Sequence, residues 1–156
     1  MEERRNEGVI GSAIKEKMEK SGEAKFVMPT LKKLKVPTHF WASEDGEGIL
    51  TDKLSRYVVL KWEHFDAIVK KANSLGGRIY RGDDVAQSGG RLGADISENT
   101  IEGYVSMVCD KLPYGEKVTR RSTYYAGILA WAGIAEMHRS EGRGSYISIT
   151  EPYRHA

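Results

Sequence analysis

The sequence predicts an α+β protein, mainly helical, with a C-terminal β-hairpin and an N-terminal extension that is helical and partly β. Three observations predict it. Residues 62–75 and 101–112 carry apolar side chains at three- and four-residue steps, the period of a helix with one buried face. Residues 134–138 and 146–150 read as short strands on either side of the glycine-rich tip SEGRG. Pro29 and Pro37 bracket Leu31 and Leu34, so no long helix crosses that region. A chain of 156 residues suits one compact main domain with a terminal extension, divided here as 1–50 and 51–156.

In chain order, residues 7–21 form the first expected helix. Val9, Ile10, Ala13, Ile14 and Met18 make its stripe and Gly22 its stop. Such a stripe buries itself against the body of the chain or against a second copy, making a homodimer or larger complex. Residues 39–42 read as a short strand, EDGEG as a turn, and residues 56–61 as the best strand of this half. The helix over 62–75 ends at Gly76-Gly77 and is followed by a short strand at 78–80. Residues 83–88 start a short helix, and GGRLG (89–93) is a flexible connection. Ser97 is the expected cap of the next helix, with Ile96 stapled to Ile101 and a stripe of Ile101, Tyr104, Val105, Val108 and Leu112. Gly103 inside that helix costs about 1 kcal/mol against alanine, acceptable where another backbone or a phosphate comes close. After a turn at 112–117, Thr119 caps a last helix running to Ala132, with Gly133 as its stop.

Composition excludes several classes. Apolar residues at 40% and charged residues at 29% suit a globular chain and not a disordered one. No apolar run approaches the ~18 residues of a membrane span, and MEERRNEG leads into no secretory apolar core. A single cysteine, Cys109, excludes an internal disulfide framework and fits a reducing compartment, cytoplasm or nucleus. The balance of 24 basic against 22 acidic residues gives only +2, so a basic face has to come from local clustering.

The stretch VTRRSTYYAGILAWAGIAEMHRSEGRGSYISIT, with the helices and short strand from Trp62 onward, resembles the winged helix-turn-helix superfamily. The resemblance makes residues 51–156 the winged-helix domain and residues 119–132 the reading helix that enters the major groove, with 141–144 as the wing tip on backbone or minor groove. It implies a duplex DNA-binding protein: a transcription regulator or the DNA-recognition component of a defence or restriction system. Arg120 and Arg121 stand on the first turn, where the helix end favours phosphate and where arginine pairs with guanine. Ser122 and Thr123 reach phosphate or base edges, Lys117 precedes the helix beside Thr119, and Arg139 and Arg143 flank and tip the wing. The competing arrangement leaves Arg120 and Arg121 solvated, or pairs them with Glu116 and Asp110. Burial of those arginines in carboxylate pairs, or a hairpin folded away from them, would end the DNA reading. In a second register residues 83–108 form the helix-turn-helix, with Asn99 facing adenine, but Glu98 and Glu102 on the same surface repel phosphate.

Two other functions stay open. One is a winged helix that docks protein and binds no DNA, favoured by the near-neutral charge. The other is a small metal-dependent nuclease using Asp83, Asp84 and Glu98. Signals of catalysis are thin: His39, His64, His138 and His155 show no metal-ligand spacing, Cys109 sits in an apolar stripe, and GxxxxGK[ST], HExxH and GxSxG are absent. No catalytic residue, metal or cofactor is expected. Tyr124, Tyr125 and Trp131 lie at helical spacing and read as core.

Overall fold

A computed structural model describes residues 8–31, 36–83, 89–140 and 144–155. Helix α1 (Val9–Ser21) buries Ile10, Ile14 and Met18, leaves Val9 in solvent and packs along α2 (Trp62–Ser74). Its stripe is therefore covered within the chain. α2 buries Trp62, Phe65, Ile68, Val69 and Ala72, as its period predicts, and His64 with them.

Between these helices lies more β structure than expected. Strands β1 (Phe26–Val27), β2 (His39–Ala42), β3 (Gly48–Thr51) and β4 (Leu60–Lys61) form an antiparallel sheet in chain order. EDGEG is the β2–β3 hairpin, while only the last two residues of the expected strand at 56–61 are extended in the sheet. The division at residues 50/51 falls inside β3, and β3 pairs with β4 across it.

The second half runs β5 (Arg78–Tyr80), α3 (Ile101–Tyr104), α4 (Ser122–Trp131), β6 (Ala135–Ser140) and β7 (Gly144–Ile149). The last three strands make an antiparallel sheet in the order β5-β7-β6, so the strand before the helices lies against the return strand of the hairpin. The fold is α+β, with two antiparallel sheets; the expectation of a mainly helical chain is corrected. No helix among the described residues is long and apolar enough to cross a membrane.

Two details of α3 depart from expectation. Thr100, not Ser97, caps it: the Gly103 N–H donates to the Thr100 hydroxyl at 3.1 Å. Gly103 is required because a Cβ there would sit 1.9 Å from the Ser97 carbonyl oxygen. After Tyr104 the helix widens into a π-turn (Val105–Cys109), closed by the Asp110 N–H on the Val105 carbonyl at 2.9 Å. The wider turn rotates later residues off the stripe, so Val108 and Leu112 are exposed where the 3.6-residue period places them inside.

The largest consequence for function concerns α4. One side packs into the core, where Tyr125 meets the rings of Phe65 and His64 at 5.2 and 5.9 Å. The other side lies under the first sheet and the segment leading from it. Trp131 meets the ring of Phe26 tilted and that of Phe40 edge-on, at 5.0 and 5.2 Å, and a Cβ on Gly127 would meet the Met28 side chain at 2.4 Å. Buried residues occupy successive positions from Tyr125 to Leu129, so this helix has no open apolar-free face to offer a groove.

Candidate functional site

The cap position of α4 is Arg121, two residues later than the cap expected at Thr119, and its N-terminus is capped from another helix. Glu102 of α3 is 2% exposed and its carboxylate accepts the Arg121 N–H at 3.0 Å, with the Ser122 N–H beside it. Burial raises this carboxyl above the usual range, against the pull of those N–H groups. A carboxylate at an N-terminus satisfies orphan N–H groups and complements the helix dipole. In the second register Glu102 was an exposed repellent; its place is inside.

Arg121 is 8% exposed, and its guanidinium is paired with Asp110, the residue that follows the π-turn. The other Asp110 oxygen lies 3.8 Å from His64 Nε2, and His64 Nδ1 shares a 2.7 Å hydrogen bond with the buried Tyr125 hydroxyl. Burial pushes the His64 imidazole down to about 4; Asp110 opposes the shift, and Arg121 and Lys61 add to it. The ring is therefore neutral near pH 7. Burial and the Asp110 charge push the Cys109 thiol up to about 11, which keeps it from acting as a thiolate.

This cluster floors a cleft of about 290 Å³. One wall comes from the β3–β4 loop and β4, with Tyr57, Val59 and Lys61; the other, from the segment joining α3 to α4, supplies Leu112 and Thr119. The floor is His64, Asp110 and Arg121. Lys111, between Asp110 and Leu112, holds a left-handed φ of 58°, a strained state for a residue with a side chain.

The residues singled out from sequence are divided. Lys117 and Arg120 are exposed on the segment ahead of α4; Thr119, exposed beside them, also lines the cleft. Arg121 and Ser122 are buried, which corrects the expectation that they read bases: a buried ion pair and a fully covered hydroxyl present nothing to a groove. Of the expected pairing with carboxylates, the Arg121–Asp110 half is present. Thr123 is half-buried on the first turn of α4. Arg139 is exposed on β6, and Arg143 lies outside the described residues. Asn99 is exposed in the turn before α3, its N–H donating to the Ser97 hydroxyl at 3.0 Å. Asp84 lies outside the described residues, and among those described no three His, Cys, Asp or Glu side chains are grouped to hold a metal ion.

Sequence reasoning missed His64, Glu102 and Asp110 as one unit. A faint signal existed for two of them, since His64 falls in an otherwise apolar helix and Glu102 follows Ile101 directly at a helix start. Their meeting is a tertiary event with no sequence period. The chain matches no protein-family model, no curated protein and no solved structure.

Proposed function

We propose that this chain is a non-catalytic winged-helix module that holds nucleic acid, duplex DNA in particular, by its phosphates rather than by reading bases. The order α2, β5, α3, α4, β6, β7 and the β5-β7-β6 sheet support the winged-helix part of the reading. The observation that carries the phosphate part is the split between neighbouring cations at the start of α4. Arg121 is committed to Asp110 inside, whereas Lys117 and Arg120 stand in solvent on the same short segment. Base reading needs a helix with an open polar face, and α4 has both sides covered. Phosphate contact needs only exposed cations within reach of a backbone. Arg139 on the wing strand is a third such cation. Sequence-independent holding fits a component of a larger DNA-handling assembly better than it fits a stand-alone regulator.

The test is anisotropy of a labelled random duplex titrated with the full chain at several salt concentrations. Three phosphate contacts predict a slope of log K against log salt of roughly −2.7. Lys117→Ala with Arg120→Ala should flatten it by about 1.8, two contacts' worth, with an unchanged circular dichroism spectrum. An unaltered slope in the double variant overturns the assignment. The same burial of α4 favours a second reading, protein docking without DNA; that reading predicts no duplex binding even at low salt.

A further inference from the structure

We infer that the cleft beside the start of α4 binds a nucleoside phosphate, its base against Tyr57 and its phosphate between Lys61, Thr119 and the edge of Arg121. The site is separate from the duplex contacts of Lys117 and Arg120, which do not line the cleft.

The charge of the cleft favours an anion. Among the residues that line the cleft, Lys61 and Arg121 stand against one carboxylate, Asp110, and His64 is uncharged near pH 7; the buried Glu102 lies behind Arg121 and does not line the cleft. Arg121 is also incompletely used. It is more than nine-tenths buried, its pairing with Asp110 runs through Nη2, and its Nε–H has no hydrogen-bond partner. That N–H is sealed from the cleft, so what Arg121 offers a ligand there is the positive charge of its guanidinium at the floor. Thr119 adds a hydroxyl at the rim.

The walls favour a flat, partly apolar body over a bare ion. Tyr57 is 79% exposed, yet its ring is held by the Arg56 guanidinium 5.0 Å from the centroid, with a 2.9 Å hydrogen bond from Arg56 to the phenol oxygen. An aromatic ring set at a cleft mouth in this way is a stacking surface for a base. Val59 and Leu112 supply apolar wall, more than an inorganic phosphate can use. The opposite wall is also built at a cost: the π-turn and the left-handed Lys111 place Asp110 and Leu112 where they are. Strain of this kind persists where surrounding structure insists on it, and it gathers at binding sites.

The same chemistry is carried by a free mononucleotide and by an unpaired nucleotide of a strand, so the experiment includes both. The full chain is titrated calorimetrically with the nucleoside 5′-monophosphates, with inorganic phosphate and with a short single-stranded oligonucleotide. Wild type should bind a mononucleotide or the single strand, and phosphate alone at least about tenfold more weakly, since a stacked base supplies that much. Tyr57→Ala and Lys61→Ala should each weaken binding about tenfold. Leu112→Trp, which fills the cleft from an exposed position, should abolish it. Binding of the strand alone, lost in Leu112→Trp, supports the site with a strand nucleotide as occupant; binding of the mononucleotide, lost likewise, supports it with a free one. No heat from any nucleotide at millimolar concentration, equal affinity for inorganic phosphate, or affinity unmoved in all three variants each overturns it. Duplex binding measured on Leu112→Trp keeps the two assignments apart, because loss of the cleft leaves Lys117 and Arg120 in place.

Discussion

Among the described helices, α1 and α4 each begin without a side-chain cap of their own and borrow a carboxylate from another helix. At α1 the lender is Asp66 of α2, which accepts the N–H groups of Gly8, Ile10 and Gly11 at 2.9, 2.8 and 3.0 Å. At α4 it is Glu102 of α3. Asp66 stays partly solvated and its carboxylate serves the helix end alone among the contacts described. Glu102 is almost fully buried and stands at the edge of the Arg121–Asp110–His64–Tyr125 cluster. One device thus does two jobs. In solvent it stabilises a helix end; inside, it ties a helix end to a set of ionisable groups that cannot be changed one at a time.

The largest loss of stability is expected at the buried end. Arg121→Ala leaves Asp110 facing His64 without its cation and empties the place of a buried side chain, so it should cost about 3–5 kcal/mol, read as a large fall in the denaturation midpoint. Next in size is a pH effect. The His64 imidazole titrates near 6.5 when unfolded and at about 4 when folded. Between those values the unfolded chain holds a proton that the folded chain refuses, so stability is greatest above pH 6.5 and falls as pH drops. By pH 5 the loss from this residue should reach about 2 kcal/mol. His64→Gln, which cannot titrate, should abolish that part of the slope between pH 7 and 5, while a slope equal to wild type would show that His64 is not the proton acceptor.

What the sequence made legible was whatever repeats locally. The stripes of α1 and α2 and the paired strands β6 and β7 follow from period and turn chemistry, and they are present; the glycine-rich tip itself lies outside the described residues. The first sheet was half-seen, since β1 and β4 are two residues long and draw their order from partners rather than from their own pattern. The site was misread for a related reason. Arg120 and Arg121 are equivalent in sequence, and only the position of Asp110, set by a π-turn with no compositional mark, decides that one goes in and the other out. Trp131 reads as core from its spacing and is partly covered, but its cover, Phe26 and Phe40, comes from the distant first sheet, which no local period predicts.

The solvated end of the comparison should respond more gently. Asp66→Ala removes a cap that a few waters can partly replace, and about 1 kcal/mol is expected, with faster amide exchange confined to the first turn of α1. If the loss matched that of Arg121→Ala, the distinction between the two ends would fail.

The smallest effect on stability is expected at Arg120, and it is the most informative for function. Its side chain is exposed, it neighbours the buried Arg121 in sequence, and an exposed substitution away from caps and pairs falls within about 0.5 kcal/mol. Arg120→Ala should therefore melt with wild type while losing about 0.9 of the salt slope for duplex binding. Arg121→Ala, read at a temperature where it is still folded, should keep that slope. The reverse result, with Arg121 carrying the salt dependence and Arg120 none, would mean that the buried pair opens to meet the backbone and that the inside–outside division at the start of α4 does not govern binding.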